Sequence, residues 1–353
     1  MSDSRPAVEE SAERLFKVHS TDAAARAAEL GQWPEALWQA FERSGLARIA
    51  LPESRGGGGD WADALALLRV AGRHFVPAPV AETILGLWLL EKAGLPPVEG
   101  PLACGPVMSP APLDLRRSGE EWHVSGAIEV SGGATAGHPL VALALHVNGR
   151  CFAVLLDPRH ATIDRRVTLA REERSLVCFN GPGVVVAGPL DAISPQRLRA
   201  MGAATRVALM TGALESVLGL TVQYANDRQQ FGRPLGKFQA VQQQLAVLAG
   251  EIAASVMAFE ALSQSFGQPL FEIEVAIAKA RVSEAAGTGA AIAHQVHGAM
   301  GFTHEHSLHL FTKRLWSWRD EYGNEREWQK LLGRFATRAG AASVWNTLTM
   351  ETV

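Results

Sequence analysis

The sequence predicts a mostly α-helical protein with β-structure in its middle: a helical N-terminal domain, a small β-barrel or sandwich, and a C-terminal four-helix bundle. Three observations lead there. Apolar residues recur at three- and four-residue steps through the first hundred positions. They alternate over roughly residues 103–190, and the helical period returns for the remainder. The changes of period divide the chain into 1–102, 103–193 and 194–353.

In the first part, "PEALWQAFERSGLARIALPE" places Leu37, Ala40, Phe41 and Leu46 on one helical face before a loop at Pro52. Asp60 then precedes a stripe of Ala64, Leu67, Leu68 and Ala71, where its side chain is suited to cap free backbone N–H groups. In the middle part, "EWHVSGAIEVSGG" alternates Trp122, Val124, Ile128 and Val130. Two apolar runs meet at Asn148-Gly149, a pair that tolerates the positive φ of a hairpin turn. Several short antiparallel strands in about ninety residues suggest a small barrel or sandwich. After Ser194 the pattern predicts helices over 195–228, 235–265, 270–297 and 305–335. The third, "AIAKARVSEAAGTGAAIAH", is rich in small residues that let helices approach closely.

Composition narrows the function. The 353 residues carry 33 basic and 36 acidic side chains, a net charge of −3, so nothing argues for nucleic acid. Cys104, Cys151 and Cys178 are widely spaced, which fits a reducing compartment better than a disulfide framework or a zinc site. The apolar stretch "ILGLWLL" at 84–90 is too short to span a bilayer, and the expectation is a cytoplasmic, soluble protein.

Most suggestive motifs have plain readings. Gly56 to Gly59 lack the strand context of a phosphate cradle, and "GRPLGK" at 232–237 falls one residue short of a P-loop. His294, His297, His304, His306 and His309 are dense, yet without HExxH or neighbouring ligands at metal spacing no metal is expected. "YANDRQQFGRPLGKFQAVQQQLAVLAGE" is different, because a polar knot heads an apolar helix. Arg228 lies one turn after Tyr224, and Gly232-Arg233-Pro234 ends the helix. A guanidinium there suits bidentate pairing with phosphate, with a ring beside it to pack on a base. Alternatively it is a solvated helix end.

With its surroundings this stretch resembles the acyl-CoA dehydrogenase flavoprotein family. "SGLARIALPESRGGGG", "EWHVSGAIEVSGGATAGHPLVALA", "YANDRQQFGRPLGKFQAVQQQLA" and "AHQVHGAMGFTHEHSLHLF" are similar to family segments in the same order over nearly the whole chain. The resemblance implies FAD between the middle domain and the bundle, completed by a neighbouring subunit. It implies that Arg228 meets the FAD pyrophosphate, that Phe231 packs near the adenine and that Gln239 lies in the same region. Gln295, Gly298 and Gly301 would let backbone approach the dinucleotide of the adjoining subunit, with Ala299 standing for a family glycine. The implied reaction is α,β-dehydrogenation of an acyl-CoA thioester: a carboxylate takes the α-proton, hydride leaves to the flavin, and an electron-transfer flavoprotein reoxidises it.

The sequence departs from that family pattern twice. "PLACGPVMSPAPLDL" lacks the Thr-Glu-Pro…Gly-Ser-Asp segment that wraps flavin and substrate, and the β-domain looks short. In "WSWRDEYGNEREW", aligning on Gly323 puts Tyr322 where the base belongs, with Glu321 one residue earlier and Asn324 replacing a threonine. The alternative base position, on the first helix of the bundle, is Gly202. Glu321 is therefore the candidate base. Two assemblies follow: a homodimer or homotetramer that turns over by itself, or a heterotetramer in which this chain is the non-catalytic partner of another dehydrogenase-like chain.

Overall fold

The computed structural model describes residues 4–108, 112–146, 148–191 and 193–340. Five helices open the chain: α1 (Arg5–His19), α2 (Asp22–Glu29), α3 (Glu35–Arg43), α4 (Trp61–Arg73) and α5 (Val80–Lys92). Asp60 caps α4 as its position predicts. Its carboxylate accepts the Asp63 N–H at 2.9 Å, and Asp63 accepts the Asp60 N–H at 3.2 Å. Helix α5 holds the "ILGLWLL" stretch and is buried from Val80 to Leu90, so its apolarity serves the core.

The middle part is one sheet of eight strands: β1 (Ala103–Gly105), β2 (Leu113–Ser118), β3 (Glu121–Ser131), β4 (Leu140–His146), β5 (Cys151–Leu156), β6 (Thr162–Asp164), β7 (Arg174–Gly181) and β8 (Val184–Pro189). The strand order is β6-β7-β3-β1-β4-β5-β8, with β2 pairing with both β3 and β4. Asn148-Gly149 makes the β4–β5 hairpin, with Gly149 at φ 83° and the His146 N–H donating to the Arg150 carbonyl at 2.9 Å. The sheet is not purely antiparallel as the sequence suggests, because β1 and β2 both run parallel to β4. They lie end to end along it, β1 opposite Leu140–Ala142 and β2 opposite Ala144–His146, as one strand interrupted at "PVMSPAP". Residues 109–111 of that interruption lie outside the described residues, as do 341–353 at the end of the 194–353 range.

The C-terminal part is helical as expected: α6 (Pro195–Asp227), α7 (Gln239–Gln264), α8 (Phe271–His297), α9 (Leu308–Asp320) and α10 (Glu325–Ala339). A two-residue ribbon, β9 (Gln229–Gln230) and β10 (Arg233–Pro234), links α6 to α7. The single helix expected over 305–335 is broken at 321–324. Tyr322 (φ 56°) and Gly323 (φ 100°) are left-handed, and the Asn324 side chain starts a new helix by accepting the Glu327 N–H. Helices α6 and α8 run in the same direction: Lys279, early in α8, reaches the 319–323 turn that covers Gly202 near the start of α6, while Tyr224 stacks on His297 at their ends. Helices α6 and α7 are long and apolar enough to cross a bilayer, yet more than half of the α6 stretch is buried within the protein.

Helix α4 crosses α6 at two glycines. A Cβ on Gly72 would run into the Leu209 carbonyl, and one on Gly212 into the Arg69 carbonyl. The close approach lets Glu215 of α6 pair with both Arg69 and Arg73 of α4, the latter at 2.7 Å. Gly212→Val should therefore cost about 1–3 kcal/mol of stability in urea unfolding, because the obstruction is backbone and cannot rotate away.

Candidate active site

Helix α6 is built from Gly202, Ala203, Ala204 and Thr205 as it enters the core, and then it carries Arg206, only 2% exposed. A guanidinium so placed must be paired, since an isolated buried charge is prohibitively costly. Arg206 Nη2 donates to Glu82 of α5 at 2.5 Å, and its Nε donates to Glu321 at 2.5 Å. Glu321, also 2% exposed, is held from the other side by Arg174 of β7, which donates as well to the Ser317 carbonyl at 3.3 Å. A third pair lies alongside. Arg314 of α9, 1% exposed, donates to Glu172 at 2.7 Å, and Trp318 Nε1 donates to the other oxygen of Glu172 at 3.2 Å. Three guanidiniums and three carboxylates thus join the N-terminal helices, the sheet and the bundle at one point.

These environments separate the carboxylates. Burial pushes Glu321 up, but Arg206 and Arg174 outweigh it and hold Glu321 below the usual glutamate range. Burial pushes Glu172 up and prevails there, against Arg314 and with the help of Glu321 and Glu82. Beside them lies a cavity of about 360 Å³, walled by Trp33, Glu82, Gly132, Glu172, Arg206 and Arg314 among others. Residues from all three parts of the chain line it. Glu321 and Tyr322 do not.

The base candidate is thus buried and doubly paired. One residue on, Tyr322 turns its ring onto α6, where a Cβ at Gly202 would fall inside the ring. The Tyr322 N–H donates to the Val107 carbonyl at 2.9 Å, and its carbonyl accepts Arg199 Nε at 3.1 Å. Both positions at which the family resemblance would place a base are therefore occupied by one buried phenol lying on a glycine.

The cofactor-side candidates gather at the opposite end of α6. Arg228 caps the helix, its N–H donating to the Tyr224 carbonyl at 2.9 Å, and its side chain is exposed. The β9–β10 ribbon lifts Phe231 to a left-handed tip (φ 51°), where it is 91% exposed, and Gln239 opens α7 on the same side. Gln295 is exposed in the last turn of α8, followed by Gly298 at φ 57°. Gly301 is buried tightly against His294 and His297. The stack of Tyr224 on His297, 4.4 Å between centroids, ties the two groups of residues together. Arg206 and Arg228 are 22 residues apart on α6, about 33 Å at the rise of an α-helix.

Sequence patterns missed the buried network. Its only trace is charge inside apolar runs: Glu82 in "VAETILGLWLL", Arg206 in "GAATRVALM" and Lys279 in "AIAKARV". The histidines have no metal geometry: among the described residues no group of three or more His, Cys, Asp or Glu side chains could hold an ion. They form a ring cluster instead. His297 stacks on Tyr224 and lies edge-on to His306, and His294 lies against Phe302 and Trp316.

Two outcomes follow. Arg206→Met should destabilise the protein by about 3–5 kcal/mol in urea unfolding, because it strands Glu82 and leaves Glu321 with Arg174 alone, and adding Glu82→Gln should recover much of the loss. The second concerns acid. Burial lowers His294, His306, His309 and His297, the last to about 4. Below about pH 6.5 the unfolded chain then binds more protons than the native one, so stability falls between pH 6.5 and 4. The unfolding temperature should drop over that window, and His297→Gln should flatten part of the drop.

Residues 197–319 match the family model described as "Acyl-CoA dehydrogenase, C-terminal domain". The chain is 32% identical over 319 residues to acyl-CoA dehydrogenase IpdE2 of Mycobacterium tuberculosis, covering 88% of this chain and 91% of that one. It is 29% identical to IpdE2 of Mycolicibacterium smegmatis, over 89% and 93% of the two chains. Among solved structures, a chain of the ChsE4-ChsE5 complex from Mycobacterium tuberculosis superposes with a TM-score of 0.87 at 20% identity, covering 97% and 99%. Butyryl-CoA dehydrogenase of Megasphaera elsdenii gives 0.82 at 18% identity, covering 95% and 98%. The helix–sheet–bundle order, the Arg228 and Gln295 segments at one end of α6, and relatedness along nearly the full chain make this protein a member of the acyl-CoA dehydrogenase family.

Proposed function

We propose that this chain is the partner subunit of a heteromeric, FAD-dependent acyl-CoA dehydrogenase, gripping the cofactor's tail while another dehydrogenase-like chain supplies the base. The carrying observation is Glu321. Two guanidiniums lower its proton affinity, it does not face the cavity, and Tyr322 fills the space over Gly202. A weak, fully paired carboxylate is poorly suited to abstract an α-proton. Two structural neighbours carry paired names, the ChsE4-ChsE5 complex and the Tcur3481-Tcur3483 steroid ACAD variant, which supports the heteromeric reading.

The residues at the end of α6 fit FAD. Phe231 exposes an aromatic ring, edge-on to Phe238 with 6.2 Å between ring centroids, and α7 begins without a side-chain cap. The uncapped N–H groups and the Arg228 guanidinium suit a pyrophosphate, Phe231 suits a base, and Gln239 and Gln295 offer amides at the edge. Gly298 has open space over its Cα, and Gly301 lets the 298–302 turn pack tightly beneath it. Bound FAD would accept the β-hydrogen of the acyl thioester as hydride and pass electrons to an electron-transfer flavoprotein. Arg228 and the cavity lie too far apart on α6 to serve one reacting centre, which favours a cofactor shared across a subunit boundary. We place the assembly in the cytoplasm and in lipid catabolism.

A second reading has one observation in its favour. The cavity is open and roomy, with Glu172 on its wall held above the usual carboxylate range, as suits a homo-oligomer that turns over by itself.

The test is the visible spectrum and dye-reduction activity of the chain alone and co-purified with a neighbouring dehydrogenase-like gene product. The expected result is little flavin and no turnover alone, and yellow, active complex together, with activity surviving Glu321→Gln. Arg228→Ala should lower flavin retention of the complex with no change in unfolding temperature. A flavinated homo-oligomer that oxidises an acyl-CoA and loses this in Glu321→Gln overturns the proposal.

A further inference from the structure

A further buried cation lies beside the network. Lys279 of α8 is fully buried, and among the described residues no carboxylate forms an ion pair with it. Its ammonium donates to the Arg319 carbonyl at 2.6 Å, the Gly323 carbonyl at 2.9 Å and Ser283 Oγ at 3.3 Å. Those two carbonyls bracket the break between α9 and α10. Arg319 closes the last turn of α9, whose following residue Glu321 is already extended, and Gly323 is left-handed. Arg199 holds the Tyr322 carbonyl, and Trp328 Nε1 donates to the Gly323 carbonyl at 3.2 Å. Arg199 reaches the turn from a partly exposed position, whereas the buried Trp328 and Lys279 reach it from within.

We propose that Lys279 is a positioning residue: its ammonium holds the backbone of the 319–323 turn, and so sets where Glu321 meets Arg206 and Arg174 and where Tyr322 lies on Gly202. A cation is suited to this place because α9 ends there, where last-turn carbonyls such as that of Arg319 lie beyond the helix's own ladder, and because an ammonium can serve three acceptors at once. The inference concerns the turn, so it stands whether or not this chain turns over.

The hold is pH-dependent. Burial lowers Lys279 to about 7, against the opposing pull of Glu321 and Asp320 at the turn and Glu325 at the start of α10, with Arg206 of α6 adding to the lowering. Above pH 7 the amine still donates to the carbonyls, whereas an opened turn would return Lys279 toward the free lysine value of 10.5 and let it bind a proton, so opening costs more and the turn tightens as pH rises.

Hydrogen exchange of the intact chain tests this, read on peptides covering 317–328. The Tyr322 N–H donates to the Val107 carbonyl and the Gly323 N–H to the Asp320 carbonyl, and both report the turn. After correction for intrinsic exchange, wild-type protection there should rise by about tenfold or more from pH 6 to 8.5, because only the opened turn binds the extra proton. In Lys279→Met it should be lost at every pH in this range, while α6 and α8 stay protected. Lys279→Gln, which restores donors without charge, should recover part of the protection and show no pH dependence. Wild-type protection in Lys279→Met, or loss spread equally along α8 and α10, overturns the positioning role. Persistent pH dependence in Lys279→Gln overturns the ionisation, and if Lys279→Met does not fold, Lys279→Gln and the wild-type pH series decide.

Discussion

Arg206 has to be paired twice, and much of the architecture follows from that. It enters the core on a helix of small residues and is almost wholly buried. Glu82 comes to it on α5 and Glu321 on the break after α9, so the guanidinium fixes two elements that α6 touches on different sides. Apolar packing alone tolerates small slips of one helix along another, because many arrangements bury similar area. A buried guanidinium shared between two carboxylates does not, since a slip of one residue strands a charge. Arg174 extends the same constraint to the sheet, and Arg314 with Glu172 adds a second tie.

The break in the last helical segment is where this constraint meets chemistry. To bring a carboxylate to Arg206, the chain leaves α9 at Glu321 and turns through two left-handed residues, one of them a tyrosine. A non-glycine residue in that conformation is strained, and it persists because its surroundings hold it. Tyr322 is held by the Val107 carbonyl, by Arg199 and by the glycine beneath its ring. Gly202 is thus explained without reference to catalysis: any larger residue would displace the ring. The geometry that secures the network is also the geometry that withdraws Glu321 from the cavity.

Much of the fold was legible in the sequence. The capping box at Asp60, the Asn148-Gly149 hairpin and the starts of α6 and α8 are local signals, set by residues within a few positions of each other. The break at 321–324 carried a signal, Gly323, but the apolar pattern ran on across it through Trp318, Tyr322 and Trp328. The parallel pairing of β1 and β2 with β4 was invisible, because register between distant strands is not written in either of them. Arg228, Phe231 and Gln295 were singled out by resemblance to family segments, and the structure leaves all three exposed near the ends of α6 and α8. Arg206, Glu82, Arg174 and Glu172 were not, because partners more than a hundred residues apart show in sequence only as single charges in apolar runs.

Helix α6 finally acts as a spacer. Its 33 residues run unbroken from Ser194, whose side chain caps its first turn, to Arg228, which closes it at the ribbon. Near one end Gly202 and Arg206 seat the buried turn, and at the other Tyr224 and Arg228 face the exposed loop of α8. The interval is rigid, because α4, α7, α8 and α9 all pack along it. On the proposed function, the cavity and the dinucleotide grip, held that far apart on a stiff rod, do not converge within one chain. They can converge only if a second chain brings its own reactive end to this grip, or its own grip to this cavity. With Glu321 sealed in an ion pair, the first arrangement leaves this protein a part that its own buried charges do not oppose.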